Sequence, residues 1–257
     1  MRIAGAAMIA LALVCGVAQA ADDAVGPLLE RAQIWTDRGR DDLAREAIQT
    51  ALRLDSRNPE ALLALGRLQL HANQDRDAAA TLARLRQARP GHRGVAQLEA
   101  LLRVRGPDRD RMREARQLAR AGRPDEAAAA YRELFPQGMP DDDLALEYAQ
   151  VLGGTKEKDG WERAREELAA LARRHSADPR YQVAYHAHMS THKPVEPGTL
   201  AALRALAKDP SVGVSRQALE AWRRAVIAMD PVDASLPFLR EYIAANPGET
   251  AVTERLR

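Results

Sequence analysis

Three histidines, His186, His188 and His192, are the densest group of metal-capable or proton-transferring side chains in this sequence. On a helix the i, i+4 pair His188 and His192 shares a face while His186 points elsewhere, and no cysteine or well-spaced carboxylate completes a four-ligand set. No built metal site is expected there. Three consecutive carboxylates, Asp141, Asp142 and Asp143, read as a helix start, where acidic groups meet free amide donors. A glycosidase pair would need a shaped cleft that spacing alone does not supply. The run RVRGPDRDRMREARQLARAGR, residues 103–123, concentrates arginine, but Asp108, Asp110 and Glu114 interrupt it. It reads as a solvated loop and helix rather than a patch for a polyanion or lipid headgroup. The phosphate-cradling GxxxxGKS/T loop, the GxSxG nucleophile turn and the HExxH zinc helix do not occur. Neither catalysis nor a cofactor is expected.

The elements that would position these residues begin after a targeting segment. Arg2 precedes an apolar stretch from Ile3 to Val17, and Ala18-Gln19-Ala20 supplies the small-x-small pattern of signal peptidase. Residues 1–20 are therefore read as a cleaved signal peptide, and residues 21–257 as one exported domain in the periplasm. A lipidated Cys15 is the rival reading, for which Val14 is a poor predecessor. Cys15 is the only cysteine, so the mature chain has no thiol chemistry. Basic and acidic residues nearly cancel, at 38 against 36, which gives no case for nucleic acid. Beyond residue 20 no apolar run is long enough to cross a membrane as a helix.

Aromatics make up only 4% of the chain, and alanine and leucine must fill the interior, which suits closely packed helices. A repeated pattern organises them. With Gly39, Asn73, Gly122 and Asp159 taken as turns, alanine follows five residues later as Ala44, Ala78, Ala127 and Ala164. Larger residues follow at nine, Ile48, Leu82, Tyr131 and Leu168, and at twelve Ala51, Leu85, Leu134 and Leu171. These offsets form one helical stripe. Seven residues before the first three turns stand Ala32, Gly66 and Ala115, small enough for two helices to approach closely. Pro59 and Pro179 mark new helix starts.

This pattern resembles the tetratricopeptide repeat, a helix-turn-helix unit of about 34 residues. The resemblance implies an all-α helix-turn-helix solenoid of roughly a dozen helices. Gly39 to Asn73 spans 34 residues; the longer interval to Gly122 is assigned to one additional helix around residues 95–104, and the loop 153–160 absorbs the excess before Asp159. Residues 200–207, 215–229 and 235–247 also read as helices.

Residues 112–247 resemble something narrower, the periplasmic repeat region of the family formed by the C subunits of bacterial cellulose synthase. The resemblance is carried by residues 114–154, 160–180 and 203–226 in that order. It implies a scaffold for synthesis and export of cellulose, a β-1,4-glucan, through protein partners and through glucan contacts along a groove. The alternating strands of the family's outer-membrane barrel are missing from these residues. The alternative is a general periplasmic adaptor that docks a partner's helix or extended peptide. Groove positions transferred by register are Gln33 and Asp37, Arg67 and His71, and Arg116 and Arg120. A solvated helix face is the plainer reading of all six. Trp35, Tyr148, Trp161, Tyr185 and Trp222 are the rings on which a sugar could stack, but Trp35 and Tyr131 occupy core registers. Trp161 and Trp222 read as packing between helices.

Overall fold

The computed structural model describes residues 24–229, 235–248 and 250–254, so the signal segment and Cys15 lie outside the described residues. Among these residues the regular structure is entirely helical, in fourteen segments. Helix α1 covers residues 24–37. It is followed by α2 (Asp41–Leu54), α3 (Pro59–His71), α4 (Asp75–Ala88), α5 (Arg93–Arg105), α6 (Arg109–Arg120) and α7 (Pro124–Leu134). Then come α8 (Asp142–Leu152), α9 (Gly160–Arg174), α10 (Pro179–Met189), α11 (Pro197–Leu206), α12 (Val212–Ala228), α13 (Leu236–Ala245) and α14 (Thr250–Glu254).

The turns have a local cause. Gly39, Asn73 and Gly122 all adopt positive φ, at 67°, 58° and 71°, the conformation that ends a helix and frees the chain to reverse. After the first two, the next amide reaches back to the same register, Arg40 to the Trp35 carbonyl and Gln74 to that of Gln69, both at 2.8 Å. Asp159 differs: its φ is −109°, and it precedes α9 after a longer loop. Helix starts are also built in. The Asn58 side chain accepts from the Ala61 amide and Asp178 from the Arg180 amide, each just before a proline that gives up no needed donor.

The alanine stripe is buried as its period requires. Ala44, Ala78, Ala127 and Ala164 have no exposed surface, and Ile48, Leu82, Tyr131, Leu168, Ala51, Leu85, Leu134 and Leu171 are all buried. The helices group into two compact units, one of residues up to Ala121 with Ala129–Asp141, the other of Gly122–Ala128 with Asp142 onward. In the first unit α3 packs on α2, α4 and α5, and α4 also packs on α5. Leu65 and Leu68 of α3 share a core cluster with Ala32 of α1 and with Ala44, Ala47 and Ile48 of α2. In the second, α8, α10 and α12 touch in succession, with α9 against α8 and α10, and α11 against α10 and α12. Trp222 of α12 lies in that unit's core, edge-on to Tyr242 with ring centroids 4.9 Å apart.

The segment expected as one additional helix, residues 95–104, is α5. It does not stand outside the pairing: by touching both α3 and α4 it takes the place of the next repeat's first helix.

Gly66 shows how tight the stack is. A Cβ there would lie 2.6 Å from Cδ1 of Leu98 on α5, a side chain with no exposed surface. Replacing Gly66 with Ala is expected to cost about 1–3 kcal/mol of the unfolding free energy measured in urea, through overpacking. Shortening Leu98 in the same chain should return part of that loss, read as non-additivity between the two substitutions.

Candidate binding groove

The first helix of each hairpin offers the face left open after its small residue is buried. In the first unit these helices are α1, α3 and α6, whose Ala32, Gly66 and Ala115 are buried, and α5 lies beside α3 in the same row. Gln33 and Asp37 sit on α1, where the Gln33 amide donates to Asp37 at 2.7 Å. Arg67 is only half-exposed: its Nη2 donates to Gln97 Oε1 at 3.2 Å and to the Pro140 carbonyl at 2.9 Å. It therefore ties α3 to α5 and to the chain just before Asp141. His71, the last residue of α3, meets the Asp41 carboxylate at 3.0 Å.

That last contact exposes a register missed by reading turns alone. Arg105 ends α5, 34 residues after His71, and its Nε meets Asp75 at 2.7 Å, while Asp75 stands 34 after Asp41. One joint is repeated with histidine replaced by arginine. Arg105 therefore belongs beside His71 in the row of candidates, and a shift of 34 applied to the cation rather than to the turn would have found it. Arg116 and Arg120 lie on α6, Arg116 half-buried and Arg120 exposed at the helix end.

Several arginines of the basic run pair with carboxylates inside and outside it. Arg103 pairs with Asp108 at 2.6 Å, Arg113 with Asp110 at 2.9 Å and Arg111 with Glu133 at 3.4 Å. A field divided in this way gives no continuous positive surface.

In the second unit polar chemistry concentrates at helix ends. The Asp142 carboxylate, at the start of α8, accepts from Arg174 at 2.6 Å and from His175 at 2.8 Å. Burial pushes its pKa up, but those hydrogen bonds outweigh burial and hold it below the usual carboxylate range. His175 stacks on Tyr181 at 4.2 Å, and the Tyr181 hydroxyl donates to Asp143 at 3.2 Å. Asp142 and Asp143 thus do serve as a helix start, and in addition bind the end of α9 and the start of α10.

The histidines divide as their spacing dictates. His188 and His192 both lie against the Trp161 ring, with centroids 4.7 and 4.8 Å away, and His188 Nε2 meets the Trp161 carbonyl at 2.9 Å. His186 lies instead edge-on to Tyr185. Burial lowers the pKa of both His186 and His188. Trp161 is thus held between α9 and α10, its indole N–H donating to Thr191 at 3.0 Å.

Known proteins share this repeat. A tetratricopeptide repeat family model matches residues 16–102. Cellulose synthase operon protein C of Xanthomonas axonopodis pv. citri (strain 306) is 34% identical over 256 residues, covering 98% of this chain and 17% of that protein. Cellulose synthase 2 operon protein C of Komagataeibacter xylinus is 36% identical over 232 residues, covering 90% of this chain and 18% of that protein. The chain is similar to cellulose synthase operon protein C. The crystal structure of the flexible tandem repeat domain from the C subunit of bacterial cellulose synthase has the same fold, with TM-score 0.57 at 24% identity, covering 90% of this chain and 94% of that one. The fold is a tetratricopeptide-type helical repeat. Likeness to the operon C proteins is broader than residues 112–247, since it runs through the N-terminal repeats as well. The chain spans less than a fifth of the length of these curated relatives.

Two expectations follow. Arg67→Ala should cost about 1–3 kcal/mol in urea unfolding, because it strips partners from part-buried groups, whereas His71→Ala and Gln33→Ala should stay within about 0.5 kcal/mol. The second concerns pH. Groups whose folded pKa is depressed give stability that is present above their unfolded pKa and lost as pH falls through the folded one. Melting temperature should therefore begin to drop as pH falls below about 6.5, where His186 and His188 are charged in the unfolded chain but held neutral in the fold. It should drop further below the ordinary carboxylate range as Asp142 takes up a proton, and Asp142→Asn should remove that second decline.

Proposed function

We propose that this chain is a periplasmic scaffold for cellulose (β-1,4-glucan) synthesis and export, holding protein partners of that machinery and performing no catalysis itself. The carrying observation is the similarity to cellulose synthase operon protein C along 98% of the chain. Tetratricopeptide hairpins suit such a role, since each adds one rigid unit to a surface that recognises partners by side chains on the first helices. No helix among the described residues is long and apolar enough to cross a membrane, which is compatible with a periplasmic site. The N-terminal sequence, read as an export signal, supports the same compartment.

Protein contact is favoured over direct glucan contact by the hydrogen bonds already made. A sugar chain needs donors and acceptors free to exchange with its hydroxyls. Arg67, part-buried, gives its Nη2 to Gln97 and the Pro140 carbonyl, and on the exposed face Gln33 pairs with Asp37 and His71 with Asp41. The apolar stems and backbone between them still offer a partner helix or extended peptide a rigid face.

The test is capture from detergent extracts of a cellulose-producing bacterium with the tagged chain, alongside calorimetric titration with cellohexaose. Components of glucan synthesis or export should be retained, and deletion of the gene should lower cellulose output. Retention of none of them, together with unchanged cellulose output in the deletion strain, defeats the scaffold reading. A saturating heat of cellohexaose binding would instead make the glucan a direct ligand.

A further inference from the structure

Residues 135–141 do more than join α7 to α8. Phe135 and Pro140 are buried, whereas Pro136, Gln137 and Gly138 between them are exposed. The prolines take the segment out of either helix, because each ring removes an N–H donor. Both of its ends are tied down by guanidinium groups of the first unit. Arg103 of α5 donates to the Leu134 carbonyl, and Arg67 of α3 donates to the Pro140 carbonyl at 2.9 Å. The segment is a strap with its ends held and its middle uncovered.

The hold of Arg67 is incomplete. In a guanidinium, Nε and the neighbouring Nη2 form an edge that receives a carboxylate in two parallel hydrogen bonds. Nη2 of Arg67 is given to the Pro140 carbonyl and to Gln97 Oε1. Its Nε is buried and has no hydrogen-bond partner. A buried donor left unpaired is costly, and one carbonyl oxygen does not fill a two-donor edge. A carboxylate would fill it, and would bring opposite charge to a cation that pairs with no carboxylate among the described residues. Arg67 also holds one of the groove registers of the first helices, so the strap covers a place where a partner would meet that row.

We propose that this edge of Arg67 is a docking site for a carboxylate carried on an extended partner peptide, and that residues 135–141 are the strap that closes it. The proposal rests on the reading of the chain as a holder of protein partners, and narrows the partner to an acidic one. In the closed form the Pro140 carbonyl occupies Nη2. A docked carboxylate takes Nε and Nη2 together, and the stretch from Pro136 to Pro140 lifts away while Phe135 stays buried.

Fluorescence anisotropy of labelled hexaglutamate, which its own like charges keep extended, and of labelled hexaglutamine tests this on the full chain. Hexaglutamate should bind about tenfold or more tighter than hexaglutamine. Arg67→Lys keeps the charge without the two-donor edge, and should weaken hexaglutamate about tenfold. Pro140→Gly leaves Arg67 in place and makes the strap easier to lift, so it should tighten hexaglutamate about threefold. The Gly138 amide, which donates to the Phe135 carbonyl at 3.0 Å, should exchange its hydrogen faster with hexaglutamate bound. Helical circular dichroism checks that both variants fold; if Arg67→Lys does not, Pro140→Gly decides. Equal binding of the two peptides overturns the proposal, as does hexaglutamate affinity that the folded variants leave unchanged. Capture of cellulose-export components that Arg67→Lys leaves intact defeats this site alone and leaves the scaffold reading standing.

Discussion

Close approach of helices at residues without bulk is the constraint on which the rest of this structure depends. Helices pack at about 8–10 Å only where the contacting side chains permit it, and the permitted distance sets how far the neighbouring larger residues can interlock. Ala44, Ala78, Ala127 and Ala164 meet that requirement with no exposed surface. Gly66 meets it more severely by admitting the Leu98 side chain onto its own Cα. The second unit uses the same device after α8, where a Cβ on Gly153 would lie 2.7 Å from the His188 ring. Small residues at fixed intervals thus determine which large ones are buried, and which face of each first helix remains outside.

Apolar packing alone would leave hairpins free to slide by a turn, and polar contacts one repeat apart oppose this. Asp41 with His71 and Asp75 with Arg105 join the start of one second helix to the end of the next first helix. Exposed pairs of this kind contribute little stability, about 0–1 kcal/mol each. Their geometry is specific all the same, since each fits only one register of hairpin upon hairpin.

Composition alone misleads at two places. The arginine-rich run looks basic in linear order, but helix geometry brings carboxylates from one turn away, from α4 and from α7 against it. The histidine trio looks metal-capable, but Trp161 occupies one side of His188 and His192 while Tyr185 lies against His186. Asp75, Glu133 and Trp161 come from other elements, beyond the reach of local spacing, whereas Asp108, Asp110 and Tyr185 are sequence neighbours of the groups they meet.

Sequence by itself determined the helical class, the turns at Gly39, Asn73 and Gly122, and the buried stripe. Each of these is local: a positive φ is easiest for glycine and asparagine, and a period of about 3.6 residues assigns a face without knowledge of the neighbour. The family resemblance was also legible, in the order of segments after residue 112. Only the tertiary structure decided that α5 is a first helix and not an insertion, that Arg105 repeats the part of His71, and that Arg67 is consumed by Gln97 and Pro140. It also decided the division into two compact units, which no break in the repeat announces. These are matters of which elements meet, and contacts between residues thirty or seventy positions apart depend on how hairpins stack, which a one-dimensional period does not contain.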